Sequence, residues 1–151
     1  MKNYKKKKVG IINVDCGSNV TIIEPSNIYN CKLEDDVFIG PFVEIQSGVI
    51  VGKRTKIQSH SFLCELLNIG KDCFIGHGVT FINDTFSQGK PAGGDKTKWG
   101  SIEISDNVHI GSNATILPVK ICSDVVVGAG SVVTKDITTS GKYAGNPAKK
   151  L

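Results

Sequence analysis

Large apolar side chains recur at every sixth position: Leu33, Ile39, Ile45, Val51, Ile57, Leu63, Ile69, Ile75 and Phe81. A spacing of six fits neither the 3.6-residue turn of an amphipathic helix nor the two-residue alternation of a long strand. It fits short flat strands, each ended by a turn. Glycine often follows the apolar residue (Gly40, Gly52, Gly70, Gly76), where a backbone without Cβ eases the bend. Four places after the apolar residue the chain is mostly small or β-branched, at Val37, Val43, Val49, Thr55, Ser61, Cys73, Val79 and Thr85, with Leu67 the exception. The series breaks after Phe81 and resumes at Ile104, Ile110 and Ile116. It then drops one residue and continues at Ile121, Val127 and Val133; Ile28, five before Leu33, marks a slightly irregular start.

Three such strands close one triangular coil, so side chains about eighteen residues apart stack, and each coil buries its apolar groups only against its neighbours. Ile39, Ile57 and Ile75 should form one such file, and Ile45, Leu63 and Phe81 another. The expected architecture is all-β, a parallel β-helix over residues 14–137, with a basic tail at 1–13, a long loop inserted at 84–101 and a C-terminal tail at 138–151. The strand margins at the two ends need covering. Residues 1–27 and the C-terminal tail are the candidates.

The 17 glycines, against one Met and one Trp, agree with a backbone that turns often. The net charge of +4 is local: Lys2, Lys5, Lys6, Lys7 and Lys8 lie in the first eight residues, and the rest carries 13 basic against 14 acidic groups. Such a run suits nucleic acid or an anionic surface, but Tyr4 is its only aromatic residue, and a solvated tail accounts for it better. No signal-peptide pattern follows it, and no apolar run approaches the roughly 18 residues of a membrane span. The expectation is a cytoplasmic protein without membrane insertion or nucleic-acid binding. Cys16, Cys31, Cys64, Cys73 and Cys122 form no Cys-x-x-Cys pair and are expected to be reduced and mostly buried.

The break between Phe81 and Ile104 carries the one tryptophan, Trp99, with Phe86, Lys90, Lys96 and Lys98. Loops of this length in compact domains are functional or disordered. This one is expected to reach over a neighbouring subunit, framing an active site, fastening an oligomer, or both. At its root the spacing stacks Glu65 under Asn83, with Asp84 next in sequence. His60 and His77 fall one strand earlier, and all five are expected to converge there as a site.

Several phrases give the chain a family likeness: Ser59–Phe62, Ile75–Val79, Phe81–Thr85, Lys98–Gly100, Gly111–Pro118, Val127–Asp136 and Tyr143–Lys149. Over roughly residues 14–150 it resembles the hexapeptide-repeat acyltransferase superfamily, and within it the N-acetyltransferases of nucleotide-linked 3-amino-3,6-dideoxyhexoses. The resemblance implies left-handed coils, acetyl-CoA as co-substrate, no metal, a homotrimer with sites between subunits, and a dTDP- or UDP-linked amino sugar destined for surface polysaccharide. It also implies that Gly111, Ser112, Ala129 and Gly130 line the pantetheine arm. Lys135, Lys149 and Lys150 would meet the phosphates and Pro147 would pack under adenine.

The chemistry asked of such a site is modest. A thioester is already activated, and placing the reactants accounts for up to roughly 7–11 kcal/mol of a barrier. An oxyanion donor adds roughly 3–4 kcal/mol, and the N–H groups of Gly76 and Gly78 are candidates. Asn83 is assigned to position amine or thioester, and Asp84 and Glu65 to hold the sugar. His60 and His77 are candidate bases, as are Glu65 and Asp84. Two other acceptors remain open: a sugar or serine hydroxyl, with one histidine as base, or carbon dioxide at a zinc ion as in γ-type carbonic anhydrases. A structural or ice-binding β-helix would show ranks of threonine, and Thr55, Thr80, Thr85 and Thr97 form none.

Overall fold

The structure, a computed structural model, describes residues 3–151; Lys2 of the basic run lies outside them. It is a left-handed parallel β-helix, a triangular prism built of two- and three-residue strands. Face I stacks the strands Ile11–Ile12, Asn27–Tyr29, Glu44–Ile45, Phe62–Leu63, Thr80–Phe81, Thr115–Ile116 and Val132–Val133. Face II stacks Asp15–Cys16, Lys32–Leu33, Ile50–Val51, Leu67–Ile69, Ile102–Ile104 and Lys120–Ile121. Face III stacks Thr21–Ile22, Phe38–Ile39, Lys56–Ile57, Phe74–Ile75, His109–Ile110, Val125–Val127 and Gly141–Ala144. The chain visits the faces in the order I, II, III, so edge I/II, edge II/III and edge III/I each recur once per lap.

The register is the one the six-residue spacing predicts. Ile39 pairs with Ile57 and Ile57 with Ile75, while Ile45 pairs with Leu63. These files are fully buried, as is Phe81. The small residues two places before them also point inward at the corners: Val37, Val43, Val49 and Val79 are buried, and Thr55 and Ser61 replace valine there. The two hydroxyls stay satisfied by donating to Gly70 O at 2.8 Å and Gly76 O at 2.9 Å.

Most corners carry one residue in the left-handed region. Edge II/III supplies Asn19, Asp36, Arg54, Asp72, Asn107 and Asp124, residue types that mostly tolerate it. Their side chains also tie successive coils: Arg54 grips Asp72 through two bonds of 2.7 and 2.8 Å, and Asn107 donates to Asp124 at 2.7 Å. On the other two edges the position is mostly Asn or Gly, but bulky residues occupy it at Phe42 and His60 on edge III/I and at Leu66 on edge I/II. For these the left-handed conformation costs on the order of 1–2 kcal/mol each. Gly76 meets a different demand: a Cβ there would lie 2.7 Å from the Ser112 nitrogen of the next coil.

The first strand begins at Ile11, inside the stretch expected to be tail, and pairs with Ile28 and Tyr29. At the other end the chain folds back. Lys149–Lys150 pairs antiparallel with Ala144 and Tyr143, and the turn between them hydrogen-bonds to Val132 through Gly145 O and Ala148 N. The long excursion runs between Phe81 and Ile102, and Ile102 re-enters directly against Leu67. Among the described residues no helix is long and apolar enough to cross a membrane.

Candidate functional site

The predicted site residues fall on two edges of the prism. Edge I/II holds Glu65, Asn83 and Asp84. The Asn83 side-chain Nδ2 donates to the Glu65 main-chain carbonyl at 3.1 Å, so the two stack at one corner as their spacing requires. Asn83 O accepts from Gly100 N at 2.8 Å, which pins the returning limb of the loop. Asp84 faces into that loop: its two carboxylate oxygens accept from Phe86 N at 3.0 Å and Ala92 N at 2.8 Å. It therefore shapes the loop root.

The loop closes back onto the same corner through a lysine that the spacing gave no means of placing. Lys96 Nζ is ion-paired with Glu65 Oε2 at 2.5 Å and lies 5.8 Å from the centre of the Trp99 ring. Lys96 stands on a single 3-10 turn, Lys96–Lys98, capped by Asp95, which accepts from Thr97 N. Hydrogen bonds from Thr97 hold the Asp95 carboxyl below the usual carboxylate range. The indole Nε1 of Trp99 is buried without a partner among the described residues. Beneath Glu65, Gln46 Oε1 accepts from Glu65 N at 3.3 Å. Burial first, and then the Glu44 and Glu65 charges, push the nearby Tyr29 hydroxyl above its ordinary value of 10.0. A groove of about 600 Å³ opens beside this cluster, lined by Glu65, Leu66, Asn68, Lys96 and Glu103 among others.

Edge III/I holds His60 and His77. The His77 Nδ1 lies 2.9 Å from Ser59 Oγ, and the His60 ring packs against Phe42 with centroids 4.9 Å apart and planes tilted by 30°. One strand of face I separates this edge from the Glu65 corner, and no hydrogen bond or ion pair among the described residues joins the two groups. Within one chain the five residues do not converge.

The residues expected to hold coenzyme A divide the same way. Gly111, Ser112, Ala129 and Gly130 continue edge III/I above His77, where Gly130 N donates to Ser112 O at 2.8 Å. A groove of about 330 Å³ runs beside them between Phe74, His109, Ser112, Val126 and Ala129. The terminal hairpin brings Pro147, Lys149 and Lys150 to the top of this edge. Lys135 falls on edge I/II instead, next to Asp136, which accepts from Lys120 N.

Backbone donors follow a rule along this edge. Gly76 N and Gly78 N are spent on the coil-to-coil ladder, donating to Ile110 O at 2.8 Å and Ser59 O at 3.0 Å, so neither is free to meet an oxyanion. Among the described residues the amides of Ser59, His77, Ser112 and Ala129 have no acceptor within the chain. The result is a file of unpaired N–H groups, one per coil.

Comparison with known proteins bears on what this prism is. Residues 30–64 match the bacterial transferase hexapeptide family of six repeats, and residues 101–135 match the hexapeptide repeat of succinyl-transferase. The chain belongs to the hexapeptide-repeat superfamily. It is 30% identical over 145 residues to the bifunctional protein GlmU of Thermotoga petrophila, an alignment covering 84% of this chain and 30% of that protein. It thus spans under a third of that relative. Among solved structures it superposes on AntD, an N-acyltransferase from Bacillus cereus in complex with dTDP and coenzyme A. The TM-score there is 0.81 at 25% identity, covering 93% of this chain and 83% of that one. The polySia-specific acetyltransferase NeuO gives a TM-score of 0.68 at 27% identity, covering 96% and 81%.

The hexapeptide-repeat coils explain why one of these sites is hard to close within a single chain: a convex prism has edges, and its concave surfaces arise beside loops or between molecules. Among the described residues no group of three or more His, Cys, Asp and Glu side chains is placed to hold a metal ion.

Proposed function

We propose that this chain is an acetyl-CoA-dependent N-acetyltransferase acting on the amino group of a dTDP- or UDP-linked amino sugar, and that it works as a homotrimer in the cytoplasm. The observation that carries this is the division of the site. Glu65, Asn83 and the loop occupy one edge, while His77, His60 and the unpaired amides of Ser112 and Ala129 occupy another. Two prisms packed side by side about a threefold axis bring edge I/II of one against edge III/I of the next. A complete site then needs two chains. The likeness to AntD, whose structure contains dTDP and coenzyme A, supports the choice of substrates.

In this arrangement the pantetheine arm runs along edge III/I, accepting hydrogen bonds from Ser112 N and Ala129 N. The thioester carbonyl comes to His77, whose own amide replaces Gly76 and Gly78 as the oxyanion donor. The acceptor amine is held from the other side by Asn83 and Glu65. Its nitrogen attacks the carbonyl carbon; the C–N bond forms, the C–S bond breaks, and the thiolate leaves as the thiol. Ser59 engages Nδ1 of His77, which leaves Nε2 to take the proton that the amine sheds. His60 is the second base candidate. Glu65 is held by Lys96, which keeps the loop against this side of the site.

A hydroxyl acceptor is the second possibility, favoured by the Ser59–His77 contact, since a hydroxyl needs a base more than an amine does. A thiol-release assay with acetyl-CoA against dTDP- and UDP-linked amino sugars, with the matching unaminated sugars as controls, tests both. Release only with amino sugars supports the proposal, and release only with hydroxyl acceptors replaces it. Carbon dioxide hydration with zinc, and no thiol release, would overturn it.

A further inference from the structure

Edge III/I does not stop at His60. One coil further toward the N-terminus it carries Phe42, a bulky aromatic in the left-handed region with φ 60° and 56% of its surface exposed. The turn itself does not require a phenyl ring: of the corners above it on this edge only His60 is comparably bulky, and Gly78, Asn113 and Gly130 take the same conformation with less strain. Strain of this kind persists where a side chain is wanted for something other than folding. One face of the Phe42 ring is backed by the His60 imidazole. Beside it opens a cavity of about 280 Å³, lined by Val9, Pro25, Asn27, Phe42, Val43 and Glu44. Among the described residues the Asn27 side-chain amide has no partner within the chain, so a donor and an acceptor stand open at the cavity wall. Val9, which closes it on one side, is the residue immediately after the run Lys5, Lys6, Lys7 and Lys8.

We infer that Phe42 is a stacking platform for the base of a pyrimidine nucleoside diphosphate, with Asn27 meeting the edge of the base and the N-terminal lysines meeting the diphosphate. This deepens the acceptor assignment above and rests on it for the direction of the substrate. The two co-substrates then lie head to head along one edge. Coenzyme A extends from His77 toward Ala129 and the terminal hairpin, and the nucleotide extends from His60 toward Phe42 and the N-terminus. Successive coils are about 4.8 Å apart, so Phe42 stands roughly 10 Å from the level of His77. That separation suits a sugar at one end of a folded diphosphate and a base at the other. The assignment also gives work to a lysine run that the coils themselves leave unexplained.

Calorimetric titration of dTDP, UDP and thymidine into the full chain tests this. Phe42→Gly removes the ring and relieves the left-handed backbone together, so the thermal midpoint should hold or rise. The same variant should bind dTDP and UDP about tenfold or more weakly, the scale of one lost base stack, and coenzyme A as before. Phe42→Tyr should retain nucleotide binding. Replacing Lys5, Lys6, Lys7 and Lys8 together by Gln should weaken dTDP but not thymidine. Unchanged dTDP affinity in Phe42→Gly, or failure of the unaltered chain to bind either nucleotide, overturns the inference. If dTDP binding depends on Phe42 but no amino sugar releases thiol, the inference stands and the acceptor assignment falls. If amino sugars are acetylated while Phe42→Gly binds dTDP normally, the opposite holds.

Discussion

The side-chain amide of Asn83 hangs from the main-chain carbonyl of Glu65, one coil away, at 3.1 Å. Its Nδ2 is thereby committed to the scaffold, and its Oδ1 is the atom left to meet a substrate amine. Asn83→Ala should therefore lower kcat by about 10²–10³-fold, the scale of losing one preorganised polar group. The fold should survive, since a single hydrogen bond contributes only about 1 kcal/mol. Steady-state kinetics beside a thermal melt checks both halves. Loss of activity that merely tracks loss of folded protein would reduce Asn83 to a structural tie.

A site shared between chains can be shown by mixing. His77→Ala and Asn83→Ala trimers should each be inactive alone. Co-expressed or refolded together they should regain part of the activity, because some interfaces then carry both native edges. Continued inactivity in verified mixed trimers would overturn a site built from His77 of one chain and Asn83 of the next.

Lys96→Ala should raise KM for the acceptor several-fold and leave the melting temperature nearly unchanged. An ion pair in which the lysine side chain is 60% exposed adds little stability, about 0–1 kcal/mol. Its function is to hold the loop against Glu65. A large drop in melting temperature without a kinetic effect would argue for a purely structural fastening.

The thiols should respond to pH in order of burial. Burial pushes Cys64 up to about 12 and Cys31 up to about 11, against an ordinary 9.0. Because the folded values lie above the unfolded one, the stability linked to these thiols is fully present below pH 9. It is lost as pH rises from there toward the folded values. Alkylation of the native protein at pH 8 should mark exposed Cys16 before Cys31 or Cys64, and mass mapping of labelled peptides reads this directly. Native labelling of Cys64 as fast as Cys16 would contradict the buried placement.

Ile57→Ala removes a fully buried link from the file between Ile39 and Ile75. It should cost about 2–5 kcal/mol in denaturant unfolding, with the residual folded protein still active.

The coil was open to a reader of the sequence because each lap repeats the same demand on the same positions. Ile39, Ile57 and Ile75 announce their own stacking, and Glu65 with Asn83 follows by the same count. That count also puts Phe42 beneath His60, eighteen residues on. It separates His60 from Glu65 as well: five residues are about a third of a lap, enough to move to another edge, so nearness along the chain was not nearness in space. The engaged amides of Gly76 and Gly78 were hidden for a different reason. Which N–H points along the ladder and which points outward depends on backbone orientation at the corner, and residue type does not encode it. Inside the excursion no period survives, so the Lys96–Glu65 pair and the turn held by Asp84 emerge only from tertiary contact.

The re-entry of Ile102 against Leu67 has one more implication. The solenoid registers as though the intervening residues were missing, which makes that insert a cassette. Its length and composition are free to drift, or to be swapped by grafting, without any penalty in how the prism winds. The chemistry that this excursion presents and the thermodynamic stability of the prism are then separately evolvable properties of this polypeptide.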